Sequence, residues 1–258
     1  MTAVRVETAD GVATITLDGP GSLNSLTVAA KVELLGALRS AARDRDIRVV
    51  VLTGAGRAFC AGQDLRERLA PDAPPLEVEL RERYNPIVLA IRELPKPVIA
   101  AVNGVAAGAG ASLAFACDLR IVAASASFVL AFGRIGLVPD TGATWLLPRL
   151  VGLGRALELA LVGDPIGADE AHRIGLVNRV VADEELTAET HVLAVRLASG
   201  ASRAMALTKR AIAGALETDL GAALETEAIL QGVAGRTADH REGIAAFVDK
   251  RQPRFTGE

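Results

Sequence analysis

One acid is notable for its surroundings. Between Lys96 and Arg149 the only carboxylates are Asp118 and Asp140, and Asp140 lies in Leu137-Val138-Pro139-Asp140-Thr141-Gly142. An apolar setting disfavours the charged form of a carboxyl, which raises its pKa and suits it to taking and returning a proton. Upstream runs the small-residue stretch Asn103-Gly104-Val105-Ala106-Ala107-Gly108-Ala109-Gly110-Ala111-Ser112. Small residues let a ligand lie close to bare backbone amides. Gly108-Ala109-Gly110 follows a strand and opens a helix, whose N-terminus offers free N–H groups and a positive dipole end. A second such loop is Arg57-Ala58-Phe59-Cys60-Ala61-Gly62-Gln63-Asp64-Leu65. It follows a strand ending at Thr53-Gly54, at the carboxyl end where α/β proteins usually bind ligands. Gly62 lets the chain turn there and exposes the N–H of Gln63. An oxyanion hole commonly needs two donors. The combination points to an enzyme that holds an oxyanion on main-chain amides and moves a proton with one carboxylate.

Each feature has a plainer reading. The loop at 57–65 also reads as an ordinary strand-to-helix connection. Gly108-Ala109-Gly110 is no dinucleotide fingerprint, because Leu113 replaces the third glycine. Asp140 could cap a helix at Ala143–Leu150, a frequent job for aspartate. Asp118, at a helix end before Leu119-Arg120-Ile121-Val122, reads as structural. Gly110-Ala111-Ser112-Leu113-Ala114 nearly forms a nucleophile elbow, and Ser112, Asp140 and His172 follow a hydrolase triad order. Against that, nine Gly/Ala-rich residues separate Val102 from Ser112, and Ala114 replaces the final glycine. His172, His191 and His240 lack metal-ligand spacing and read as surface or interface residues. Cys60 and Cys117 read as small core residues.

These groups need elements to hold them. Val4–Thr8 and Val12–Leu17 alternate around Asp10-Gly11, a hairpin signal. Thr27 caps a helix over about 28–43, with Val28, Val32, Leu35 and Leu38 as its apolar positions. Ile47–Leu52, Val98–Val102 and Leu119–Val122 are strands buried on both faces, with a helix over about 109–117, which implies right-handed crossover units. The charged, proline-containing stretch Arg66–Glu82 reads as a mobile surface loop entering a helix near Leu76–Leu94. From Leu153 the chain turns mostly helical, through Ala156–Leu161, Leu186–Leu197, Ala204–Leu216, Ala222–Ala234 and Asp239–Lys250.

Composition sets the outer bounds. The chain has 258 residues, half of them apolar but only 3% aromatic, so the core is built from Ala, Val, Leu and Ile. A chain this long buries roughly 70–75% of its unfolded surface without staples. With 28 basic and 31 acidic residues the net charge is −3, which leaves no electrostatic footprint for nucleic acid. Two cysteines are too few for a disulfide framework. Met1-Thr2-Ala3-Val4-Arg5-Val6-Glu7 reads as the start of a strand and not as a signal peptide. No apolar run is long and unbroken enough to cross a membrane. The expectation is a soluble, cytoplasmic protein.

The motifs together resemble the enoyl-CoA hydratase/isomerase (crotonase) family over nearly the whole chain. They are Leu23-Asn24-Ser25-Leu26, Ala58-Phe59-Cys60-Ala61-Gly62-Gln63-Asp64-Leu65, Lys96-Pro97-Val98-Ile99-Ala100-Ala101-Val102-Asn103-Gly104, and Arg241-Glu242-Gly243-Ile244-Ala245-Ala246-Phe247-Val248-Asp249-Lys250-Arg251. The resemblance implies an α/β fold, a spiral of ββα units over residues 1–200, and a C-terminal helical trimerisation region over 201–258. It implies a homotrimer, or a hexamer made from two trimers. Carried over, the oxyanion donors are the N–H groups of Gln63 and Ala109. Coenzyme A, entering as part of an acyl-CoA substrate, would run along Ala61, Asp64 and Leu65. Phe247 and Lys250, from the same or a neighbouring subunit, would lie near it. No metal and no separate cofactor are implied.

The chain departs from the hydratase pattern where it matters. Ser112 and Phe132 stand where hydratases carry two glutamates, whereas dienoyl-CoA isomerases carry an aspartate at the position of Asp140. The stretch from Phe128 to Pro148 and the segment Gly235–Gly243 resemble the 1,2-epoxyphenylacetyl-CoA isomerase branch. The reading is therefore an acyl-CoA isomerase with Asp140 as acid and base, its acyl group shaped by Phe132 and Trp145 and its apolar wall by Phe132, Ile135 and Leu137. The alternatives are an enoyl-CoA hydratase and a non-catalytic acyl-CoA binder. The retained Asp140 argues against the last.

Overall fold

A computed structural model describes residues 3–258, so the first two residues of the expected N-terminal strand lie outside the described residues. Strands β1 (Val4–Ala9) and β2 (Val12–Leu17) pair antiparallel. Asp10 and Gly11 between them have φ of 53° and 75°, the double positive φ of a tight hairpin turn. Helix α1 (Val28–Arg43) starts where Thr27 Oγ1 accepts the Ala30 N–H at 3.1 Å. Its buried face is only partly the expected one, with Leu38 buried and Leu35 packed against the core. Ala30, Lys31, Leu34, Leu38 and Ala41 point inward, while Val32 faces solvent. The reason is Lys31, which is buried because its ammonium pairs with buried Glu79. A lysine on the core face breaks the apolar period that sequence reading depends on.

The next part of the chain builds two sheets at once. Strand β3 (Val49–Gly54) is followed by β4 (Ala58–Cys60), then the short helices α2 (Leu65–Arg68) and α3 (Leu76–Glu79), a π-helical turn at Leu80–Tyr84, and α4 (Asn85–Glu93). The helix expected near 76–94 is present, and it includes the second half of the stretch read as a loop. Strands β5 (Val98–Val102) and β6 (Val105–Ala107) precede α5 (Ala109–Ala116), and β7 (Leu119–Ala123) and β8 (Ser127–Val129) follow it. The larger sheet runs β1-β2-β3-β5-β7 and ends on β10 (Arg179–Val181). The smaller runs β4-β6-β8 and ends on β9 (Ile166–Gly167). Each turn of chain gives one strand to the large sheet and the next to the small one, with parallel pairing between turns. This is an α/β spiral of ββα units.

Helices fill the rest. After α6 (Ala143–Val151), α7 (Leu153–Val162) and α8 (Ala168–Arg173), helix α9 (Leu186–Ala198) packs across the large sheet. Then come α10 (Ser202–Ala215), α11 (Leu220–Ala234) and α12 (Ala238–Val248). Lys209 fastens α10 to the core, donating to the carbonyls of Ile91 and Lys96 and pairing with Asp118 at 2.7 Å. Asp118 also accepts the Val98 N–H, so it is a structural acid, as expected. At the chain's end, Asp239 accepts the N–H groups of Thr256 and Gly257, and Arg48 donates to Ser202, Gly200 and Phe255. No described helix is long and apolar enough to cross a membrane.

Candidate active site

The two amide-presenting loops leave neighbouring strands of the small sheet. Cys60 on β4 pairs with Ala106 on β6, and Gln63 and Ala109 stand at the same offset beyond that pair. Parallel neighbours lie about 4.8 Å apart, so the two peptide N–H groups emerge side by side. Contacts agree. A β-carbon on Gly62 would sit 3.3 Å from the Ala109 nitrogen and 2.8 Å from the Ala107 oxygen. One on Gly110 would lie 2.2 Å from the Cys60 oxygen. Glycine is therefore required for the first turn of α5 to lie against β4. Gly62 (φ 85°) and Gly108 (φ 51°) make the two turns.

Among the described residues neither amide has a main-chain acceptor outside regular helix and strand bonding. Gln63 forms a parallel bridge with Leu26, in which the Leu26 N–H donates to the Gly62 oxygen at 2.7 Å and the Asp64 N–H donates to the Leu26 oxygen. In that geometry the N–H of Gln63 itself points to the opposite side. Ala109 opens α5, so its N–H has no acceptor within the helix. The bridge also explains the motif Leu23-Asn24-Ser25-Leu26. Leu23 accepts the Ala61 N–H, Asn24 donates to the carbonyls of Ala55 and Ala58, and Ser25 donates to Asp64. The motif braces the loop at 61–64 from behind.

Asp140 reaches this place from the third turn of the spiral. It does not cap α6: the residue before that helix is Gly142 (φ 83°), with no side-chain cap. Among the described residues the Asp140 carboxyl accepts only the hydroxyl of Thr141, at 2.7 Å. Burial raises its pKa, and the Thr141 hydrogen bond only partly offsets that. Thr141 is buried at φ 54°, a strained conformation for a β-branched residue and one that recurs at functional sites. Ser112 is fully buried on α5. Its hydroxyl lies 3.1 Å from the Asp140 main-chain oxygen and 3.2 Å from that of Gly108. It is therefore no nucleophile, and His172 is exposed on α8. Phe132 is buried, its ring tip 3.8 Å from where a Gly108 β-carbon would be. Of the expected apolar wall, Phe132 is buried and Leu137 half-buried, but Ile135 faces solvent.

The other expected residues are spread more widely. Ala61 is half-buried beside Gln63, and Leu65 is exposed. Asp64 is buried. Burial alone would raise its carboxyl, but hydrogen bonds from Arg66 and Ser25 outweigh that and hold it low. Its side chain caps α2, accepting the Arg66 N–H. Phe247 is 87% exposed on α12, and Lys250 follows that helix at φ 55°. Among the described residues no hydrogen bond or ion pair joins either to the loops. Trp145 is half-buried under the Arg149 guanidinium, 3.8 Å from its ring centroid. It lines a groove of about 820 Å³ between α4, α6 and α10 that meets the acid's loop at Gly142. Cys60 and Cys117 are buried, and burial pushes both thiols up to about 12, so they are core residues. Sequence reading passed over Tyr84, the only tyrosine in the chain. No motif marks it, but it is buried, and its hydroxyl has no hydrogen-bond partner among the described residues.

This geometry has known relatives. The model of the enoyl-CoA hydratase/isomerase family matches residues 7–258, and the chain belongs to that family. It is 50% identical over 254 residues to a probable enoyl-CoA hydratase of Rhodobacter capsulatus, covering 98% of each chain. It is 48% identical over 251 residues to the 1,2-epoxyphenylacetyl-CoA isomerase of Escherichia coli K12, covering 96% of each. The solved enoyl-CoA hydratase of Bacillus anthracis superposes with a TM-score of 0.95 at 38% identity, over 99% of this chain and all of that one. The protein is thus an enzyme of the hydratase/isomerase family with the crotonase fold.

Proposed function

We propose that the protein is an acyl-CoA isomerase acting through a thioester enolate, on 1,2-epoxyphenylacetyl-CoA or a related enoyl-CoA. The N–H groups of Gln63 and Ala109 hold the thioester oxygen. The Asp140 carboxylate removes a proton next to the carbonyl, and the C–H electron pair passes into an enolate whose negative oxygen those amides stabilise. Asp140 then returns the proton at the far end of the conjugated system, so bonds move and no atom is added. Coenzyme A lies along Ala61, Asp64 and Leu65, with Phe247 and Lys250 supplied by a neighbouring subunit of a trimer or hexamer. The reaction needs no metal and no separate cofactor.

One observation carries this reading. Of the carboxyls with shifted pKa values, Asp64, Glu170, Asp183 and Glu242 lie low, and Asp140 alone lies high. Ser112 and Phe132, at the positions of the hydratase glutamates, supply no second acid. The likeness to the Escherichia coli isomerase supports the reading. The likeness to a probable hydratase favours a second one, addition of water across an enoyl-CoA double bond. A panel of acyl-CoA thioesters followed by mass spectrometry separates the two. Isomerisation leaves mass unchanged, and hydration adds one water. If every product were hydrated, the isomerase reading would be abandoned.

A further inference from the structure

Phe132 is the one buried residue of the turn Ala131–Ile135 that follows β8, and the three residues after it are exposed. Its ring turns back against the amide corner. Cζ lies 3.8 Å from where a Gly108 β-carbon would be. Among the described residues it is the only atom within 4 Å of that point, the glycine and its chain neighbours aside. Gly108 directly precedes Ala109, so the ring edge stands beside that peptide. The main chain of Phe132 leads towards the acid. Its oxygen accepts the Leu137 N–H at 3.0 Å, past Gly136 at φ 71°. Three residues on, the chain returns to α5, where Ser112 Oγ lies 3.2 Å from the Gly108 oxygen and 3.1 Å from the Asp140 oxygen. Ring, amide and the acid's loop meet around the first turn of one helix.

A water held in this corner would need about two to four polar partners. The ring offers none. The Ser112 hydroxyl is engaged by main-chain oxygens, and the Thr141 hydroxyl is bonded to the acid itself. The ring is not sealed in, since Phe132 keeps 6% of its surface open. Its edge therefore borders the site instead of lying deep in the core.

Resting on the isomerase reading, we propose that Phe132 sets the outcome of the reaction by keeping water out of this corner. With the thioester oxygen on the two amides, the Asp140 carboxylate takes the proton and the C–H electron pair moves into the enolate. No water then stands close enough to exchange with the new Asp140 O–H or to add to the carbon skeleton. That O–H bond breaks as the far carbon of the enolate takes back the same proton, so nothing enters from solvent and nothing leaves. A carboxyl whose pKa is raised by burial suits such a dry setting.

The test is turnover in D2O, read by mass spectrometry at low conversion on an ester that the wild type isomerises. The wild-type product should carry deuterium in fewer than about one molecule in five, because water is excluded from the base. Phe132→Ala makes room for water and should raise that fraction at least about threefold, with some hydrated product beside it. Phe132→Leu, apolar and still bulky, should stay within about twofold of the wild-type fraction. A role in packing alone would slow the variants without changing the label. A wild-type isomer labelled at every turnover would overturn the proposal before any variant is made, and so would equal labelling of the wild type and Phe132→Ala. If the wild type gave only hydrated product, or left every ester unchanged, the isomerase reading itself would fail, and the product mass shows this separately from the label.

Discussion

The Ser112 hydroxyl lies 3.1 Å from the main-chain oxygen of Asp140. This contact ties the helix that begins with Ala109 to the loop that carries the acid, so the candidate donor and the candidate base are held by one side chain. Ser112→Ala should lower kcat about tenfold with little change in KM, and should cost about 1 kcal/mol of stability. Steady-state kinetics with urea unfolding check both. An unchanged kcat would show that the loop is held by other contacts.

Asp140→Asn should bind acyl-CoA almost normally and lose most isomerase activity. Isothermal titration with a non-reactive thioether analogue, beside turnover, separates the two effects. In the wild type, kcat/KM should rise with pH as the base ionises, with an apparent pKa above the ordinary aspartate value, as its burial requires.

The same burial affects stability. A carboxyl whose pKa is higher folded than unfolded contributes stability below its unfolded value and loses it as pH rises through the folded value. Asp140→Asn should therefore be more stable than wild type at neutral pH, and the difference should vanish below about pH 4. Thermal unfolding at several pH values measures this.

Gln63→Ala should matter little, because its contribution comes from the main chain. Ala109→Pro should lower turnover by ~10²–10³ while the helix persists, since proline is tolerated at a first helical position. A folded Ala109→Pro protein, checked by circular dichroism, with full activity would remove Ala109 from the mechanism. Gly110→Ala should be destabilised by several kcal/mol, since its β-carbon would meet the Cys60 oxygen at 2.2 Å.

On α10 and α11, Ile212, Leu216, Leu224 and Ile229 are exposed while Leu230 is buried. We expect the exposed set to be covered by other copies of the chain. Light scattering at micromolar concentration should give a trimer or a hexamer, and Ile229→Asp should reduce it to smaller species.

Parts of the molecule governed by local rules were legible in the sequence. Thr27 caps its helix, Asp10-Gly11 turns its hairpin, and β3, β5 and β7 are the expected buried runs. The two amide-presenting loops and Asp140 stood out because glycines and an isolated acid leave a local trace, whereas Ala109 as a donor came from the family resemblance. What escaped depended on partners distant in sequence. The pairing of Lys31 with Glu79 put a charged residue on the buried face of α1, beside the expected Leu38, and the expected Val32 fell outside it. Strands β4, β6 and β8, three residues each, were too short for any period to show. Tyr84 carries no motif, and its burial follows only from how α1 and α4 pack together. The cap reading of Asp140 failed because Thr141 and Gly142 both take positive φ and swing its carboxyl away from the helix end.

The pairing of Cys60 with Ala106 has a consequence for how such enzymes diversify. The separation of the two amides is set by the spacing of adjacent strands, a property of the backbone that point substitutions barely alter. Asp140 stands on a segment outside any strand, so substitutions there can move, add or delete an acid without disturbing the amides. On the proposed reading, the anion-binding half of the machinery rests on the backbone and the proton-moving half on one side chain of a loop. Two relatives at 50% and 48% identity carry the names of different reactions, so for this chain the proposed acid is a sharper test of chemistry than overall similarity.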